Sequence, residues 1–101
     1  MAYFCVHALD HEDRLEDRLR LRESHRARLR RHDHPVTVRI GGPLLDAAGR
    51  MIGSLLVIEA ADREAVETYL AHDPYVLGGL YREVAIHAFN WGLGQPEASH
   101  G

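Results

Sequence analysis

With 101 residues, 46% of them hydrophobic and 27% charged, the chain has the size and composition of one globular domain. A formal net charge of -3 removes any global attraction to nucleic acid or anionic lipid, and no apolar run approaches the roughly 18 residues of a membrane span. Cys5 is the single cysteine, so no intrachain disulfide can form; with no basic-then-apolar leader in "MAYFCVHALD", the expected setting is a reducing cytoplasm.

Residues 2–9, "AYFCVHAL", read as strand one. Both alternating sets, Tyr3-Cys5-His7-Leu9 and Ala2-Phe4-Val6-Ala8, are largely apolar, which predicts cover on both sides. Residues 12–32 hold strong helix formers and no Gly or Pro, with Asp10 or Asp13 as candidate caps and arginines near the end. The alternative for the first part of that stretch is a charged loop. Apolar residues in this helix are few. Steps of four from Leu21 reach His25 and then Leu29, so His25 stands in the apolar row and not on the charged face. Pro35 disfavours the α region at His34 and ends the helix.

Residues 36–45 alternate Val36, Val38 and Ile40 as strand two, "DAAGR" is a tight turn, and residues 51–60 are strand three. Two strands so close together predict an antiparallel hairpin. Residues 61–72 form helix two, with Asp62 as N-cap and Glu64 in the first turn. Its rows are Ala61-Ala65-Tyr69 and Val66-Leu70. Residues 79–91 are strand four, with Val84, Ile86 and Ala88 on one face and Tyr81, Ala85, Phe89 and Trp91 on the other. Residues 1–91 then make one domain and 92–101 a loose tail.

Strand-helix-strand occurs twice, giving βαββαβ, the ferredoxin-like α+β plan. Two helices cover only one face of a four-stranded sheet. The second apolar face predicts a homodimer through the sheet faces; a monomer with its tail laid over that face is the alternative.

His25 and Asp73 are the residues best placed for chemistry. In this plan the two helices lie side by side, with His25 midway along the first and Asp73 at the end of the second. A carboxylate beside an imidazole fixes its tautomer and raises its basicity, and such a pair can take a proton from carbon or water. Pro74 fixes the backbone next to Asp73. Against this stands the plain reading: a packed core histidine, and an Asp-Pro turn opener. Gly41-Gly42-Pro43 marks either a bulge with bare amides facing a ligand or a kinked strand end. Ser54, on the neighbouring strand, either adds a hydroxyl to the same pocket or simply packs. Gly78-Gly79 lets the chain turn into strand four.

His7 and His11 have a metal-like gap but straddle a strand-to-loop boundary, so no metal is expected. Glu12, Asp13, Glu16, Asp17 and Glu23 interleave with the arginines of helix one, which predicts a solvated face rather than a nucleic-acid surface. Arg22, one turn before His25, is placed to hold an anionic substrate. The chain has no nucleotide-binding glycine motif and no Ser-His-Asp order, and no cofactor is expected.

The start "AYFCVHALD", the Arg-x-x-His-x-x-x-Leu spacing of "RLRLRESHRARL", "GGPLLD", "GSLLVIEA" and above all "AHDPYVLGGLYREVAIHAFNW" together resemble the YCII-related family over residues 2–91. The resemblance implies a muconolactone-isomerase-like fold in which ferredoxin-like subunits pair into a dimeric α+β barrel. It also implies an active site of His25 and Asp73, and one such relative removes chloride from a chlorinated hydroxyquinol. "DAAGR" is tighter than the corresponding connection in many relatives. The reading is therefore a cofactor-independent enzyme abstracting a proton from a small anionic or phenolic molecule, with isomerisation or elimination as outcomes. His25 would be the base and Asp73 its orienting group. Arg22, Gly42, Pro43, Ser54 and Tyr75 would line the substrate pocket. The competing class is a non-catalytic dimer that binds a metabolite or serves as an accessory domain.

Overall fold

Alternation along the strands decides which face of the sheet the helices cover. The computed structural model describes residues 1–96. The elements run β1 (Ala2–Asp10), α1 (Leu15–Leu29), β2 (Thr37–Leu45), β3 (Met51–Ala60), α2 (Arg63–Ala71), α3 (Pro74–Leu77) and β4 (Tyr81–Phe89). The four strands form one antiparallel sheet in the order β2-β3-β1-β4. This is the expected βαββαβ order with one short helix, α3, added after α2. In β1 the even positions Phe4, Val6, Ala8 and Asp10 are buried, whereas Tyr3, Cys5 and Leu9 are half-buried and His7 is exposed. The even set faces the helices, and the odd set forms the open face.

The hydrocarbon core lies toward one end of this sandwich. Phe4, Val6, Leu56, Ile58 and Ala60 from the sheet meet Val66, Tyr69 and Leu70 from α2, with Val36 alongside. Each large side chain buried in this way stabilises the fold by about 1.5–3 kcal/mol. Asp62 caps α2 as expected, its Oδ1 accepting from the Ala65 amide at 2.9 Å. The β2-β3 turn is tight: Asp46 Oδ1 accepts from the Ala48 and Arg50 amides, each at 2.9 Å, and Gly49 takes φ +83°.

Four expectations need correction. Helix one does not begin at residue 12; residues 11–14 are a loop in which Asp13 adopts φ +60°, and the helix starts at Leu15. Neither Asp10 nor Asp13 caps it, for Arg14 occupies the cap position without a side-chain hydrogen bond, and Asp10 turns inward. Gly41-Gly42-Pro43 is not a kinked end: these residues continue β2 along the sheet edge, where Pro is tolerated, and the register breaks lie instead between Val38 and Ile40 and between Leu44 and Leu45. Tyr81 does not share the open face with Ala85 and Phe89. The β1-β4 register shifts between Leu9 and Asp10, pairing Asp10 with Tyr81, and a one-residue shift reverses facing. Tyr81 thereby joins the helix side. Of the expected tail, residues 92–96 carry no helix or strand, and residues 97–101 lie outside the described part.

Candidate functional site

The inward face of α1 is polar. Its two buried residues are Arg18, 2% exposed, and His25, 5% exposed, set seven positions apart and so on one side of the helix. Leu21, Arg22, Arg28 and Leu29 flank them half-buried, while Leu19 points out at 52%. This explains why the helix looked poor in apolar residues: its sheet-facing side is the wall of a cavity and not a core stripe.

His25 is met by Asp73. The Asp-Pro step opens α3, with Asp73 as N-cap and Pro74 at the first helical position, where its missing N–H costs nothing. One carboxylate oxygen, Oδ2, accepts from the Tyr75 amide at 2.9 Å. The other, Oδ1, lies 2.7 Å from His25 Nδ1. The two readings of Asp73, turn opener and histidine partner, are therefore both true, one for each oxygen. A carboxylate only accepts, so Nδ1 carries a proton, and in the neutral imidazole Nε2 is left with a free lone pair. Tyr75 stacks on the imidazole with ring centroids 3.9 Å apart and planes 20° from parallel. Gly78 lets α3 pack closely on α1: a Cβ there would come within 2.6 Å of Leu21 Cδ1, and that side chain would have to shift.

A second buried network lies beside the first. Arg18 donates from Nε to Asp10 Oδ2 at 2.7 Å and from Nη2 to Asp10 Oδ1 at 2.9 Å. Nη2 also donates to Ser54 Oγ at 2.9 Å, and Tyr81 donates its hydroxyl to the same Oγ at 2.8 Å. The Arg18 guanidinium packs on the Tyr75 ring, 4.5 Å from its centroid, which links the two networks. Burial alone would lower the Arg18 pKa, but the hydrogen-bonded Asp10 carboxylate outweighs it and holds the guanidinium charged. Burial raises the pKa of Tyr75 and drives that of Tyr81 well above the usual phenol range.

Arg18, His25, Ser54 and Tyr75 border a cavity of about 340 Å³ between α1, the β2 edge and the start of α3. Of the residues singled out from the sequence, Arg22, His25, Gly42, Pro43, Ser54 and Tyr75 all line it, and Asp73 stands behind His25. Sequence reasoning missed Arg18, Asp10 and Tyr81. A signal for Arg18 did exist: it sits one heptad before His25, on the same helical face. Asp10 at a strand end gave none, and Tyr81 was hidden by the register shift.

Comparisons agree with this architecture. The family model described as the YCII-related domain matches residues 1–90. Protein YciI of Escherichia coli O6:H1 is 34% identical over 92 residues, covering 85% of this chain and 94% of its own. Among solved structures, 5-chloro-2-hydroxyhydroquinone dehydrochlorinase (TftG) from Burkholderia phenoliruptrix AC1100, in complex with 2,5-dihydroxybenzoquinone, superposes with a TM-score of 0.75 at 24% identity, covering 87% of this chain and 93% of that one. An antibiotic biosynthesis monooxygenase gives a TM-score of 0.52 at 12% identity over 89% of this chain and 97% of its own. These likenesses establish the ferredoxin-like α+β fold of the dimeric α+β barrel class.

Proposed function

This chain belongs to the YCII-related domain family, and from that premise we propose that the cavity is the active site of a small-molecule enzyme with His25 as general base. The observation that carries the proposal is the 2.7 Å contact between His25 Nδ1 and Asp73 Oδ1, which leaves Nε2 on a histidine that lines the cavity. Nε2 takes a proton from a substrate carbon or hydroxyl, and Asp73 stabilises the imidazolium that forms. The electron pair left behind then either shifts and takes the proton back from the imidazolium at another atom, giving an isomer, or expels a leaving group such as chloride. Arg22 and Arg26 line the same cavity without a carboxylate partner among the described residues, which favours a small anionic or phenolic substrate. TftG, with its chlorinated hydroquinone chemistry, supports the phenolic option. A second copy of the chain closes the open sheet face, where Phe89 is 38% and Ile40 45% exposed.

The test is a panel of chlorinated hydroxyquinols, phenols, lactones and hydroxy acids, with 2,5-dihydroxybenzoquinone as the binding probe. The wild-type chain turns over at least one member and sediments as a dimer. His25→Gln retains the fold and the rise in melting temperature given by the probe but loses about 10²–10⁴-fold in turnover. Asp73→Asn keeps a helix cap but presents an amide N–H to Nδ1, forcing the wrong tautomer with a comparable loss. If the probe raises the melting temperature but no panel member reacts, or if His25→Gln turns over normally, the site is a binding site and not a catalytic one. A monomer in sedimentation would remove the second copy from the proposal.

A further inference from the structure

We propose that Ser54 and Arg18 form an oxyanion-holding pair at the inner end of the cavity, with Tyr81 and Asp10 as positioning residues that fix where their protons point. This role rests on the reading of the cavity as a substrate site and narrows its ligand to one bearing a phenolate, enolate or carboxylate oxygen.

A serine hydroxyl has one proton to give and two lone pairs with which to accept, and a guanidinium can only donate. Arg18 Nη2, 2.9 Å away, therefore fills one lone pair of Ser54 Oγ. Tyr81, 2.8 Å away, has no other hydrogen-bond partner among the described residues and does not border the cavity, so its proton fills the second. Burial raises the Tyr81 pKa, so that proton stays in place at neutral pH. With both lone pairs taken, the Ser54 proton has to point elsewhere. Ser54 is 2% exposed, lines the cavity, and has no acceptor for its proton among the described residues. An ambivalent hydroxyl is thereby turned into an obligate donor aimed into the cavity.

Arg18 behaves in the same way. Its Nε and Nη2 protons are committed to Asp10 and Ser54, while its two Nη1 protons have no acceptor among the described residues, and Arg18 also lines the cavity. Asp10 holds the guanidinium side-on, so the orientation of Nη1 is set before any ligand arrives. A ligand atom seated against Ser54 Oγ and Arg18 Nη1 meets donors from both. An ammonium group or a neutral N–H would leave them unpaired; an oxyanion satisfies them, and these fixed dipoles need no reorganisation to do so.

4-Nitrophenol is the probe, because its phenol and phenolate absorb at different wavelengths. Bound to the full-length chain, it ionises at lower pH than in free solution. Ser54→Ala weakens phenolate binding about tenfold relative to phenol and shrinks the shift accordingly. Tyr81→Phe keeps the ring but frees one Ser54 lone pair, and it shrinks the shift by less than Ser54→Ala. A purely structural role for the network would lower the melting temperature of both variants without moving the ionisation, and would overturn the proposal. So would failure of 4-nitrophenol to bind the wild type, or an equal shift in wild type and Ser54→Ala. An unchanged shift in Tyr81→Phe overturns the positioning role. His25→Gln separates this from the catalytic reading: it loses turnover but keeps the part of the ionisation shift that Ser54→Ala removes. If it loses the shift as well, the oxyanion pair is wrong while the base assignment stands.

Discussion

The two long helices pack on the same sheet face and bury opposite kinds of side chain. α2 is nine residues long and buries Val66, Tyr69 and Leu70. α1 is fifteen residues long and buries Arg18 and His25. The sheet beneath follows suit, with Phe4, Ile58 and Ala60 among the apolar side chains of the core that α2 completes, and Asp10 and Ser54 in the hydrogen-bond network centred on Arg18 of α1. A buried hydrocarbon side chain is stabilising by itself, whereas a buried charge costs several kcal/mol unless paired and hydrogen-bonded. One end of the layer thus holds the fold together, and the other end spends stability on an arrangement of polar groups.

That contrast can be broken most directly at Arg18. Arg18→Met leaves Asp10 buried without its partner and lowers stability by about 3–5 kcal/mol. Adding Asp10→Val removes the stranded carboxylate, and the double variant recovers to near or above wild-type stability in denaturant titration. It does not recover the effect on 4-nitrophenol ionisation. If the double variant stays as unstable as the single one, the Arg18-Asp10 pair is part of what holds the fold together and the division between the helices is false. On α2 the counterpart is Leu70→Ala, which costs about 2–4 kcal/mol through lost burial and the cavity left behind. No second substitution of a charged neighbour restores it, because what Leu70 supplies is volume.

The same division decided what the sequence could disclose. Where burial is apolar, period and caps are read directly: the Val66-Leu70 row and the Asp62 cap stand where periodicity and capping rules put them, and β1 alternates as its pattern implied, although that pattern did not say which set faces the helices. His25 was visible because it interrupts an apolar row, and Asp73 because Pro74 follows it. Asp10 was invisible for a physical reason, and the same reason masked Arg18 despite its heptad spacing to His25. In one dimension a buried, paired charge has the same pattern as a solvated one, and α1 carries many charges that are solvated. Tyr81 was lost to a one-residue register shift, which no strand pattern announces. α3 was read as a mere turn because four residues are too few for periodicity to register.

The smallest effect separates two aspartates that do the same local job. Asp62 caps α2 and Asp73 caps α3, each accepting a backbone N–H at 2.9 Å. Asp62 is exposed, whereas Asp73 is 1% exposed and gives its other oxygen to His25. Asp62→Ala therefore costs about 1 kcal/mol, the ordinary worth of a lost cap, and Asp62→Asn costs little, because asparagine caps as well as aspartate. Both leave probe binding and turnover untouched. At Asp73 the Asn variant is equally able to cap, so cap energetics predict the same small change in thermal unfolding. Any loss of turnover beyond that reports the oxygen facing His25. Should Asp62→Asn and Asp73→Asn prove alike in both stability and turnover, Asp73 is a helix cap that happens to touch a histidine, and α1 loses its claim to be the working wall of the cavity.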